Sequence, residues 1–130
     1  MTAGLAATTL ANKWLDMLAG TAFTAPAGSF VVVHTGDPGA AGTANTIASV
    51  TRQSVTWSAA SGGSKSASNS PTWSSWSFAS PVTITHLSFW DAVTSGNFLF
   101  SCPVASAQVV VTGNNVVLSP ITILFAPIAA

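Results

Sequence analysis

The sequence predicts a mainly β fold, an antiparallel, jelly-roll-like β-sandwich of about seven or eight short strands, with one amphipathic helix at its amino-terminal side. Three observations lead there. Short apolar or alternating segments follow one another from Ser29 to Phe125, separated by Gly, Pro and Asn turn signals. A single stretch, Thr8 to Ala19, carries the helical period. No repeat at a solenoid period is visible. With 130 residues the chain is read as one domain, with the helix at about 8–19 and the sandwich at about 29–125. Five Trp, seven Phe and 48% apolar residues exclude a disordered chain.

In the helix, Leu10, Ala11, Trp14, Leu15, Met17 and Leu18 fall on one side, and Asn12, Lys13 and Asp16 on the other. Thr8 or Thr9 can cap its start and Gly20 can close its end. Its polar face has one cation, which fits a core or subunit contact better than a membrane surface. The first strand, Ser29 to His34, stops at Gly36-Asp37-Pro38-Gly39. There Asp37 can bond the backbone two residues on, Pro38 sets φ and Gly39 permits a positive φ, so a long ordered loop begins. A second strand covers Val50 to Ser58, with Val55 and Trp57 on one face and Thr56 on the other. Ser61 to Ser70 reads as a flexible loop or a wide hairpin connection. In Trp73 to Phe78, Trp76 and Phe78 alternate with Ser as in a half-buried strand.

The next strand, Val82 to Trp90, changes phase. Val82 and Ile84 share a face, while Leu87 and Phe89 lie on the other, so either a bulge shifts the register or both faces are covered. Asp91 to Asn97 is a turn, and Phe98 to Phe100 a short strand that Cys102-Pro103 ends. Gln108 to Thr112 and Val116 to Leu118 flank Gly113-Asn114-Asn115, a hairpin signal. In the last strand Ile121, Ile123 and Phe125 alternate with Thr122 and Leu124, and an apolar end from Ala126 to Ala130 follows.

Charge excludes several classes of function. Lys13, Arg52, Lys65, Asp16, Asp37 and Asp91 are the only charged side chains, 5% of the residues against about 25% in ordinary soluble domains. Three cations neutralise few phosphates, so no nucleic-acid partner is expected. No apolar run is long enough to cross a membrane, and no cationic leader region precedes one. A net charge of zero gives little protection against association, so much of the surface is expected to be covered in an assembly.

No set of residues signals catalysis, a cofactor or a metal. His34 with Asp37 could be ligands, and His86 with Asp91 an acid–base pair around Ser88, but metal sites need three or four clustered ligands and a nucleophile needs an oriented base. A His at a strand end and an Asp in a turn are more often hydrogen-bonding residues. Cys102 is expected to be a buried, inert thiol. Trp57, Trp73, Trp76 and Trp90 are expected to fill the core or a subunit contact, with Trp73 and Trp76 as the alternative aromatic surface for a sugar ligand. Trp14, Leu18, Ile121, Ile123, Phe125 and Ile128 are the candidate subunit or shell contacts.

His34-Thr35-Gly36-Asp37-Pro38-Gly39 followed by Ala41-Gly42-Thr43-Ala44-Asn45, then Arg52 and Thr56 to Gly63, and then Val82 to Ala92 with Gly96-Asn97-Phe98-Leu99-Phe100, occur in an order that resembles a family of small virion proteins of tailed bacteriophages. Its members are often labelled tail fibre or minor structural proteins. The resemblance implies a non-enzymatic building block of the virion, assembled in the host bacterial cytoplasm. Its expected partners are copies of itself, as a homo-oligomer such as a trimer, and other virion proteins such as the major capsid protein. A fibre usually needs a shaft, for which 130 residues leave no room. The expectation is therefore a capsid decoration or cement subunit, with a tail-fibre or tail-tip protein of adsorption or glycan-binding role as the alternative.

Overall fold

The computed structural model describes residues 3–125. Eight strands follow one helix: β1 Phe30–His34, β2 Gln53–Ser54, β3 Ser64–Ser66, β4 Thr72–Trp73, β5 Val82–Trp90, β6 Phe98–Val110, β7 Val116–Val117 and β8 Thr122–Leu124. All the ladders are antiparallel. One layer is a four-stranded sheet in the order β2-β1-β5-β6. The other is an interrupted ribbon. Its two pairs, β3 with β8 and β4 with β7, are joined by Ala67 N–H donating to Ile121 O and Leu118 N–H to Pro71 O, both at 2.9 Å. The stretch that begins with β2 leaves the first layer, and Trp57 pairs Ala67 in the second.

Hydrophobic burial between the layers holds the sandwich. Val31, Val33, Leu87 and Phe89 face inward from the sheet onto Val55, Trp73, Trp76 and Val116. Each such side chain contributes roughly 1.5–3 kcal/mol. The opposite face of the sheet is covered too. The segment Gly4–Ala6 lies along β6, with Ser101 N–H donating to Gly4 O at 2.8 Å and Ala6 N–H to Leu99 O at 2.7 Å. Ala6, Trp90 and Phe98 form a second small core there, against Val32. The phase change in β5 thus has both expected causes. A register shift between Ile84 and His86 carries the inward set from even to odd positions, and after it Ser88 and Trp90 are buried on the far face.

The loop after β1 is built as its residues dictate. Gly39 N–H donates to Asp37 Oδ1 at 2.8 Å and Gly39 has φ 73°. Gly42 crosses Phe98 so closely that an added Cβ would lie 2.3 Å from the ring, and no larger residue fits.

Other elements depart from expectation. The helix, α1 (residues 7–19), opens with a wide π-type stretch, continues as α-helix and tightens to a 3-10 turn that Gly20 closes at φ 82°. Ala6, not a Thr, occupies its N-cap, because the Thr9 hydroxyl is drawn to Phe98 O. Of the two readings of Ser61 to Ser70, the hairpin connection holds, but it is tight rather than wide: the 61–64 turn joins Trp57–Ser58 to Ser66–Ala67. Gly62 and Gly63 supply the two positive φ angles of its tight turn. Trp73 to Phe78 is not one strand, since Ser75 takes φ 52°. Trp76 instead bonds the 113–114 turn.

Strand β6 runs through Cys102-Pro103 instead of ending there. It is an edge strand, where a residue lacking N–H is tolerated. Gly113-Asn114-Asn115 does not join a β6–β7 hairpin but turns the chain from the sheet into the ribbon, where β7 pairs β4.

Candidate functional site

Two of the candidate contact residues meet across the chain. Trp14 of α1 and Phe125 beyond β8 pack edge to face, with ring centroids 5.2 Å apart. Phe125 is placed by its N–H donating to Gly63 O at 2.9 Å, so the glycine turn of the 61–64 hairpin sets its position. Beside this pair lies a groove of about 400 Å³, walled by Leu10, Trp14, Phe23, Trp57, Leu99 and Ile123. Lys65 is its one charged wall residue, and its ammonium donates to Ser58 O at 2.8 Å.

The apolar stripe of α1 is only half used. Leu10 is buried, but Leu15, Met17 and Leu18 are exposed, Leu18 at 86%, as are Leu124 and Phe125. The first turns of the helix lie beside β6. Ile121 points into the core and so is not part of this face, and Ile128 lies outside the described residues.

Trp73 and Trp76 do not form an aromatic ligand surface. They are 3% and 0% exposed, with their indole N–H groups donating to Thr51 O at 2.8 Å and Ala79 O at 2.9 Å. A thin sandwich needs large side chains to fill it, and these two span the gap between layers.

The titratable candidates also separate. His34 and Ser88 are enclosed at 0% exposure and bonded to each other, His34 Nε2 to Ser88 Oγ, at 2.7 Å. Trp90 Nε1–H donates to the same Oγ at 2.8 Å, so the hydroxyl is held by neighbours and closed to any substrate. Burial holds the His34 imidazole below its ordinary value, while hydrogen bonds to the Ala44 and Asn45 backbone oppose the shift and His86 adds to it. His86 bonds Thr85 Oγ1 through Nδ1 at 2.9 Å. Asp91 instead organises its own turn, accepting from Asn97 N–H at 2.7 Å and from the Asn97 side chain at 2.8 Å. Burial pushes its carboxyl up, but the Asn97 donors and Arg52 outweigh this and hold it below the usual range. Among the described residues no three His, Cys, Asp or Glu side chains converge as a metal site. Cys102 is half-buried against the core, and burial pushes its thiol up, away from the reactive thiolate.

Sequence reasoning assigned Arg52 no structural role. Its guanidinium lies 3.7 Å from the centroid of the Trp90 ring and donates to Ala92 O and Ser95 O, which fastens the 91–97 turn to the sheet. Scarcity was the available signal, for a lone Arg in a nearly chargeless chain has to be held by something.

No curated protein matches the chain. A family model described as Podophage GP4 fiber I protein gp80 matches residues 5–124, a span that takes in the helix, both layers and the ordered loops. The chain therefore belongs to the podophage GP4 fiber I protein gp80 family.

Proposed function

We propose that this chain is a non-enzymatic building block of a phage tail fibre, joining copies of itself and neighbouring virion proteins through the apolar face of α1 and the end of β8. Membership in a phage fibre family makes it a virion structural protein. The family description supports a fibre position over the capsid-decoration position that the chain's shortness suggested.

One observation carries the interface: Leu15 and Leu18 on α1 and Phe125 after β8 stay exposed on the two elements that the Trp14–Phe125 pair joins, in a chain that buries the indoles of Trp73, Trp76 and Trp90. Covering such a face stabilises an assembly by about 25 cal/mol per Å² of apolar area. Near this face Lys13 and Asp16 are the helix's only charges, so association desolvates little charge. The enclosed, fully bonded Ser88 supports the non-enzymatic reading.

Sedimentation of the full chain and of Leu18→Asp and Phe125→Ser variants tests the interface. Oligomers for the parent and monomers for both variants are expected, and a parent that stays monomeric at high concentration counts against self-association. Cryo-EM of particles tests the position. Density at the tail is expected, and regular copies on the capsid lattice would overturn the fibre assignment.

A further inference from the structure

Under the loop 35–45 runs a string of hydrogen bonds that the packing role does not use. Trp90 Nε1–H donates to Ser88 Oγ at 2.8 Å, His34 Nε2 lies 2.7 Å from the same Oγ, and His34 Nδ1 lies 3.0 Å from Ala44 O. A carbonyl oxygen can only accept, so Nδ1 carries the proton, Nε2 accepts, and the Ser88 hydroxyl donates to it. The Ser88 end of the string is satisfied for the neutral ring alone, whereas either form can make the Nδ1–H bond to Ala44 O. A protonated ring has N–H on both nitrogens. Ser88 Oγ would then meet two donors and would have to turn its own proton away from its present acceptor. The new charge would also be enclosed, because His34 and Ser88 are 0% exposed.

No carboxylate stands ready to compensate. From β5 the facing titratable group is His86, the cross-strand neighbour of His34. Within the loop, Asp37 is turned to its own Gly39 N–H. From the segment before β2, Arg52 sits over Trp90 and adds positive charge. Asp91, beyond Trp90, is bound to Asn97. β6 offers the neutral Ser101, and the segment Gly4–Ala6 has no ionisable side chain.

We propose that His34 is an acid-sensitive latch for the loop 35–45. With the ring neutral the loop lies closed over the far face of the sheet. With the ring protonated, burial of the charge and the lost Ser88 bond outweigh the Nδ1–H bond to Ala44 O, so the loop lifts to hydrate the ring and widens the cleft of about 460 Å³ between Gly39–Ala41 and the segment Gly4–Thr9. The closed form binds a proton less readily than the open form, so the latch is at full strength above the ordinary imidazole value of 6.5 and weakens as pH falls below it.

Amide hydrogen exchange of the full chain at pH 7.5 and pH 5, with the imidazoles followed by NMR, tests this. The reporters are the Gly42 and Ala44 amides, which bond Gly39 O and Pro38 O inside the loop. Their protection factors are expected to fall by a factor approaching about thirty, the ceiling for 1.5 pH units below the ordinary value, through a local opening that low urea does not promote, whereas exchange of the β1 and β5 amides through global unfolding rises with urea. A His86→Ala variant is expected to keep this behaviour. Loop exchange that rises with urea as steeply as core exchange, no loss in the loop, or a pH dependence that disappears in His86→Ala would each overturn the latch.

Discussion

At the residue scale, glycine positions separate turn chemistry from close packing. Gly42 and Gly62 both have positive φ, 72° and 55°, but an added Cβ meets the Phe98 ring at Gly42 and open space at Gly62. Gly42→Ala is expected to cost about 2–4 kcal/mol from strain plus overpacking, and Gly62→Ala about 1 kcal/mol from strain alone. Urea unfolding of the two variants measures the difference. Trp76 makes a similar point about buried polar atoms. Trp76→Phe keeps an aromatic ring but leaves Ala79 O without its indole donor, an expected loss of about 1–3 kcal/mol. The same unfolding measurement checks it.

At the element scale, the 91–97 turn depends on Arg52. Lysine would keep the charge but lose the planar fork that stacks on Trp90 while donating to Ala92 O and Ser95 O. Arg52→Lys is expected to destabilise by about 1–2 kcal/mol and to raise exchange of the Asn97 amide, which bonds Asp91 in the turn. Helix α1 behaves in the opposite way. Leu18 is 86% exposed, so Leu18→Asp is expected to leave the unfolding midpoint of the monomer nearly unchanged, within about 0.5 kcal/mol. Its effect should appear in sedimentation alone, which separates an interface residue from a core residue.

At the scale of the whole molecule, charge is too sparse to govern stability through surface pairs. Three cations and three anions make salt a weak lever, and raising salt tenfold is expected to move the unfolding midpoint little. Acid acts through one buried ring. His34 is held below its ordinary value, so the unfolded chain takes up the proton first and stability declines as pH falls below about 6.5. Asp91 is also held low, so its contribution is present above the usual carboxylate range and is lost only at more acid pH. Thermal unfolding between pH 8 and pH 4 is expected to show the first decline in the imidazole range, and His34→Gln should remove that part.

Local chemistry was legible in the sequence itself. The stop after β1, with Asp37 bonding Gly39 N–H, follows from residues within three positions of one another. So do the closing of α1 by Gly20, the inward set Val55 and Trp57, and the phase change in β5. Tertiary structure alone decided which strands pair, because β4 chooses β7, and β3 chooses β8, across long stretches of chain. It alone left Leu15 and Leu18 of an apolar stripe uncovered and brought Trp14 to Phe125. The physical reason is range. Turns and caps are settled by bonds between near neighbours, whereas burial depends on which distant surface arrives, and the period of a stripe does not say what will cover it.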